Sequence, residues 1–183
     1  MKLFLRLLAG ATALTLAGCN VLPQPQGDTV RYFTLSTPMT APIPADATTV
    51  RPVQLAGHLR NRAMAVRVAE NEVIYLEDVR WAASLADGVT QVLRSKIGAS
   101  GGNNVVSVQV QRLELVRFEQ NSIQLAATYE ILAPGQSAPV KRASFMASPR
   151  MWDGKDYSAL VGELQAAVGE LGEAIVAALP EKK

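Results

Sequence analysis

Apolar and polar positions along this chain change their period several times, and each change predicts an element. Leu7 to Leu16 is almost unbroken apolar or small, with Thr12 and Thr15 as its weak polar positions. After a Pro/Gln/Gly-rich stretch, Arg31–Ser36 (Arg-Tyr-Phe-Thr-Leu-Ser) reads as a strand, because Tyr32, Phe33 and Thr34 favour extended backbone. Pro38, Pro42 and Pro44 make residues 37–47 a loop. A second strand is expected over Thr48–Leu55, interrupted or at an edge, since Pro52 cannot donate to a ladder. Residues 63–77 read as a hairpin: Met64, Val66 and Val68 alternate, Glu70-Asn71 supplies the turn, and Val73–Leu76 form the second arm. The period then becomes helical. Leu85, Val89, Val92, Leu93 and Ile97 share a face, Ser84 and Asp87 have capping-box spacing with a start a few residues earlier as the alternative, and Gly98 is expected to end the helix.

The second half repeats these signals at greater length. Val106, Val108 and Val110 share a strand face, but Leu113 and Leu115 have the other parity, which predicts a bulge near Gln111-Arg112. Ile123, Leu125, Ala127, Tyr129 and Ile131 alternate with Gln124, Thr128 and Glu130 after a turn near Gln120-Asn121, and Val140–Ala147 follows Pro134-Gly135 as a further strand. These three strands predict an antiparallel meander with one polar face. Tyr157–Leu179 is helical. Tyr157, Val161, Leu164, Val168, Leu171, Ile175 and Ala178 form a narrow apolar seam, with Glu163, Glu170 and Glu173 off it. The fold class expected is α+β: a mostly antiparallel or mixed sheet with two main helices packed on one face.

The first apolar run is different in kind. Lys2 and Arg6 precede it, and it is too short to span a bilayer, so it matches a signal-peptide core. It ends in Leu16-Ala17-Gly18-Cys19, which contains the single cysteine of the chain. The stretch resembles a bacterial lipobox, in which the thiol is lipidated and the chain is cut just before it. This divides the chain into a signal peptide (1–18), a lipidated tether (19–30) and one domain (31–183). The Pro-rich tether, at about 3 Å per residue, would hold the domain within a few nanometres of the bilayer. One acyl chain binds a membrane marginally, at about 0.8 kcal/mol per buried methylene. The two or three chains of such lipoproteins would hold it firmly. In that resemblance an Asp after the cysteine marks inner-membrane retention; Asn20 stands there instead, which favours the periplasmic face of the outer membrane.

Loss of the signal also changes the charge. The chain has 18 Lys+Arg and 16 Asp+Glu, and Lys2 and Arg6 leave with the signal. The mature domain is then formally neutral and gives no argument for nucleic acid. About 165 residues suffice for one core. With Cys19 committed to lipid there is no disulfide, so packing must stabilise the domain.

Candidate chemistry is sparse. His58 is the single histidine, which excludes a His-based metal cluster, and no nucleophile-elbow motif lies near it. It reads as a loop side chain. Glu70, Glu72, Glu77 and Asp78 read as turn and solvated face. The glycines of Gly98–Asn103 follow a helix and precede a strand, the wrong order for a phosphate loop. No cofactor is implied beyond the covalent lipid on Cys19. The candidate partner-interface residues are Arg80 and Trp81, at the strand-to-helix junction, and Arg150 and Trp152, in the loop before the last helix. For each tryptophan a core or loop role is the competing expectation.

Taken in order, these pieces resemble the ABC-type transport auxiliary lipoproteins, the group that includes the paraquat-inducible protein C type. The residues that carry the likeness are the lipobox, Tyr32-Phe33-Thr34-Leu35, and the hairpin leading to Tyr75 and Arg80-Trp81-Ala82. The Leu85 helix, the meander and the closing helix ending Leu179-Pro180 complete it. One departure is Ser84, where relatives often carry proline. The resemblance implies a non-enzymatic subunit at the outer-membrane end of an intermembrane lipid transport system. Its partners would be a periplasmic MCE (mammalian cell entry) domain protein, the inner-membrane permease of that system, outer-membrane lipid and, in a homo-oligomer, further copies of itself. Two rivals remain at this point: a lipid-binding carrier, which needs an apolar cavity of several hundred Å³, and a periplasmic hydrolase, which needs His58 bonded to a serine and a carboxylate.

Overall fold

The computed structural model describes residues 29–35, 44–118 and 120–180. Cys19, Asn20 and most of the tether fall outside them, as do the expectations attached to those residues. The elements in chain order are β1 (Arg31–Phe33), β2 (Thr49–Val50), β3 (Gln54–Leu55), β4 (Ala63–Ala69), β5 (Glu72–Trp81), α1 (Leu85–Ile97), β6 (Val105–Val116), β7 (Ser122–Leu132), β8 (Lys141–Met146), β9 (Arg150–Met151) and α2 (Tyr157–Ala178). The strands form one sheet in the order β1-β5-β4-β6-β7-β8. β2 and β3 pair with the same edge of β6 as β4, and β9 pairs with β7 beyond β8. Hairpin and meander neighbours are antiparallel, while β1 on β5 and β2, β3 and β4 on β6 are parallel. The fold is therefore α+β with a mixed sheet.

Pro52 divides the second expected strand as its missing N–H requires, leaving two short pieces on either side. The register of β6 against β7 shifts between Val110 and Arg112. This irregularity lets Val106, Val108 and Val110 face the core opposite Ile131, Tyr129 and Ala127. It then returns Leu113 and Leu115 to the same face opposite Leu125 and Ile123. The same shift sends Glu114 to the other face, opposite Gln124.

Both helices cover the apolar face. α1 contributes Leu85, Val89, Val92, Leu93 and Ile97 to the core, and α2 packs on α1, β7 and β8. The buried stripe of α2 is wider than the expected seam: Leu160, Ala167, Gly169 and Gly172 join it. Fully burying each large aliphatic of this stripe contributes roughly 1.5–3 kcal/mol. Gly172 belongs there for a steric reason, because a Cβ at this position would lie 2.9 Å from Lys96 Cβ on α1. α1 begins at Leu85 as the spacing implied, but the Ser84 side chain makes no capping bond. Gly98 keeps helical angles and leads into a short 3-10 turn (Gly98–Ser100); the chain reverses at Gly101 and Gly102, with φ of 64° and 89°.

Candidate functional site

Two polar clusters sit on this scaffold. The first lies on the sheet face away from the helices, where the turn Gly57–Arg60 fills the gap between β3 and β4 beside β6. The Glu114 side chain there is 0% exposed. Arg67 Nε donates to its Oε1 at 2.6 Å, and His58 Nε2 lies 3.0 Å from its Oε2. Arg67 also donates to the Glu70 carbonyl at 2.8 Å, and the Tyr75 hydroxyl donates to the His58 carbonyl at 3.2 Å. A carboxylate this buried is tolerated because both oxygens have partners and one partner is a guanidinium. The cluster joins β4, β5, β6 and the turn across up to 56 positions of sequence.

The second cluster ties β9 to α2. Arg150 Nη1 donates to Glu163 Oε2 at 2.8 Å and Nη2 contacts Glu170 Oε1, while the Ser148 N–H donates to Glu170 Oε2 at 3.1 Å. Hydrogen bonding to Glu163, foremost, and the nearby Glu170 raise the Arg150 pKa against an opposing desolvation. The Ser148 N–H, with Arg150 in support, holds the Glu170 carboxyl below its ordinary range. The Lys155 and Asp156 N–H groups do the same for Asp153, in the turn before α2. Asp156 then caps the helix by accepting from the Ser158 N–H at 2.8 Å.

The tryptophans do internal work. Trp81 is 4% exposed, pairs in register with Phe33, and packs beside Leu85 and Leu164. Trp152 is 6% exposed; its indole N–H donates to the Asp156 carbonyl at 2.8 Å, and its ring lies 5.2 Å from that of Tyr157. Phe33 extends this aromatic row, and Arg31 and Arg117 lie over its rings. Of the four candidate interface residues, Arg80 faces solvent, with Nε on the Glu77 carbonyl, and Arg150 is engaged by α2. The indoles are buried in this fold, so neither offers its face to a partner. The four do not form one exposed patch: Arg80 ends β5 and Arg150 belongs to β9, and the two regions meet inside the fold through the aromatic row, with Trp81 paired to Phe33, Phe33 6.4 Å from Tyr157 and Tyr157 5.2 Å from Trp152.

His58 is more engaged than a free loop side chain. Its ring is bonded to a carboxylate, as a hydrolase would require, but among the described residues no serine hydroxyl is bonded to it, and the other Glu114 oxygen is taken by Arg67. The space between sheet and helices lined by Leu59, Trp81, Leu85, Leu113 and Leu164 is about 10 Å³, below what one acyl chain needs. The larger depression of about 560 Å³ is an open trough on the outer sheet face, lined by Arg51, Gln54, Ser107, Gln109, Thr128 and Glu130 among others. Sequence reasoning missed the Arg67–Glu114–His58 cluster. Its one local signal was the phase slip in β6, which places a carboxylate between two core leucines.

Two solved structures share the fold. One, described as an uncharacterized protein, aligns over 81% of this chain and 97% of its own at 12% identity, with a TM-score of 0.64. The other, from Xanthomonas campestris and assigned to a family of unknown function, aligns over 80% and 89% at 16% identity, with a TM-score of 0.61. At these identities the likeness establishes architecture alone. No relative matches among curated proteins. The match that reaches function covers residues 33–176, from the edge strand through the last turns of α2, and by it the chain belongs to the family described as the ABC-type transport auxiliary lipoprotein component.

Proposed function

We propose that this protein is a non-enzymatic docking subunit of an intermembrane lipid transport system, anchored by lipid on Cys19 to the periplasmic face of the outer membrane. In this reading it receives a periplasmic MCE-domain protein whose permease lies in the inner membrane. The observation that carries the proposal is family membership over residues 33–176, which assigns an auxiliary role beside an ABC-type transporter. Leu16-Ala17-Gly18-Cys19 supplies the anchor and Asn20 the outer-membrane preference. The packed core speaks against a carrier that encloses lipid, and the occupied Glu114 speaks against a hydrolytic triad at His58. What remains is a rigid domain on a tether, which can hold a partner at a defined distance from a bilayer.

The test is affinity purification of the full-length lipoprotein from detergent-solubilised envelopes. An MCE-domain protein and its permease should co-purify, and the lipoprotein should fractionate with the outer membrane. Recovery without either component, or fractionation with the inner membrane, contradicts the proposal.

A further inference from the structure

One end of the domain gathers several elements at the point where the tether joins it. The described chain begins at Thr29, two residues before β1. The Arg31 guanidinium, at the head of β1, lies 5.1 Å from the centre of the Phe33 ring and 5.8 Å from that of Tyr157. On the other side of the row, Arg117 donates to the Tyr157 hydroxyl at 3.4 Å and lies 5.9 Å from the centre of the Trp152 ring. The Trp152 N–H donates to the Asn121 carbonyl at 2.9 Å, so β1, the β6–β7 turn and the end of β9 all meet around Tyr157. Eight large hydrophobic side chains are exposed among the described residues, and three of them flank this row: Tyr32, Phe118 and Met151. Each is the chain neighbour of a residue in it, Tyr32 of Arg31 and Phe33, Phe118 of Arg117, and Met151 of Trp152. The other five are spread over β5, both ends of the β8 segment and the last turn of α2.

The charges at this end are disposed unequally. Arg31 and Arg117 form no ion pair among the described residues. The acids beside them are turned onto backbone: Asp153 accepts from the Lys155 and Asp156 N–H groups, and Asp156 from that of Ser158. Glu70 and Glu72 belong to the adjoining β4–β5 turn, next to Arg67, whose carbonyl receives the Arg117 N–H. They balance the two arginines, so apolar contact must lead here and net charge cannot.

We infer that this end of the domain sits in the headgroup layer of a phospholipid bilayer, with Tyr32, Phe118 and Met151 at the acyl boundary and the Arg31 and Arg117 guanidinium groups on lipid phosphates. The inference rests on the lipidation of Cys19 proposed above. Thr29 is ten residues after Cys19, a reach of about 30 Å, and the tether therefore holds this end nearest to the bilayer. Three shallow side chains bind a membrane weakly by themselves, but a tether keeps them beside it at high effective concentration. The side-chain types suit the place. Aromatic residues favour the membrane–water interface, methionine adapts its shape, and a guanidinium pairs with phosphate through two parallel bonds. A seated domain has a fixed orientation, unlike one that swings on its tether. β7 starts at this end with Ser122 and runs to Leu132, which puts the β7–β8 turn about 35 Å along the strand from the contact, where it can face a periplasmic partner.

The test uses the full-length lipidated protein in vesicles of phosphatidylethanolamine and phosphatidylglycerol. With Cys19 acylated, one introduced cysteine is the only thiol in the chain. A bimane label on Phe118→Cys or Met151→Cys should be quenched by lipids brominated near the top of the acyl chain. A label on Ser137→Cys, exposed in the β7–β8 turn, should not be. With the label on Tyr32→Cys, adding Phe118→Ser and Met151→Ser should remove most of the quenching while the protein still floats with the vesicles. Floating protein whose Phe118→Cys and Met151→Cys labels are as unquenched as the Ser137→Cys label overturns the inference and leaves this surface to a protein partner. Equal quenching at all three positions overturns it as well, because the domain then has no fixed face. Parent protein that takes up the thiol label, or that fails to float, refutes the lipid anchor itself and this inference with it.

Discussion

Replacing Arg67 with methionine should be among the most damaging conservative changes in this protein. The substitution keeps most of the stem volume but removes the Nε–H that meets Glu114 Oε1 at 2.6 Å and the bond to the Glu70 carbonyl. The Glu114 side chain, 0% exposed, would keep only His58. Breaking a buried pair from one side costs about 3–5 kcal/mol. For a domain of this size each kcal/mol moves Tm by about 2–4 °C, so the expected loss is roughly 6–20 °C. In urea, with m near ~2 kcal/mol/M, the midpoint should fall by about 1.5–2.5 M. Trp81 and Trp152, both buried, report the transition by fluorescence. The cause is an uncompensated charge and not lost volume, so Arg67→Met with Glu114→Leu should recover to within about 1 kcal/mol of the parent. His58→Gln should cost only about 1 kcal/mol, because His58 is 27% exposed and water can take its place. A loss below 1 kcal/mol for Arg67→Met, or a double variant as unstable as the single, refutes this reasoning.

Gly172→Ala should destabilise by about 1–3 kcal/mol, since its Cβ would meet Lys96 Cβ at 2.9 Å and force α1 and α2 apart; equilibrium urea unfolding measures it. Acid should weaken the β9–α2 joint. Glu170 has a folded pKa below its unfolded value near ~4.3, so its contribution is complete above that value and is lost as pH falls through the lower folded pKa. Glu170→Gln should therefore flatten the acid limb of stability against pH while lowering stability at neutral pH, and an unchanged acid limb counts against the Ser148 and Arg150 contacts. Trp152→Phe should lower the urea midpoint by about 0.5 M, corresponding to roughly 1 kcal/mol for the lost bond to the Asp156 carbonyl.

Local pattern made much of this fold legible before any coordinates. The hairpin turn at Glu70-Asn71, the break at Pro52, the bulge at Gln111-Arg112 and the alternation of β7 all follow from short-range periodicity, and all are present. Parallel pairing was not legible. β1 reaches β5 across 48 positions, and nothing in Arg31–Phe33 states which strand it will meet. The width of the α2 stripe was underestimated because a strict four- and three-residue step leaves out Leu160 and Ala167 beside the seam, and because Gly169 and Gly172 carry no hydrophobic signal though they face Lys96 of α1. The clusters failed for a related reason. His58 and Glu114 are 56 positions apart and meet because the turn before β4 lies beside β6. Each tryptophan read both as a core or loop residue and as a partner anchor, because side-chain type indicates appetite for contact, but not whether the contact lies inside the fold or outside it.

The most direct measurement concerns the anchor. A chain with residues 1–18 replaced by a cleavable secretory signal and Cys19→Ala should be exported as a folded, water-soluble periplasmic protein, since the core of the described residues is built from Phe33 and Leu35 onward. In a strain lacking the native copy and its transport back-ups, this released domain should fail to restore the envelope barrier, read as survival on detergent, while the lipidated parent restores it. Full restoration by the released domain would contradict the claim that tethering to the outer membrane is part of how this protein works.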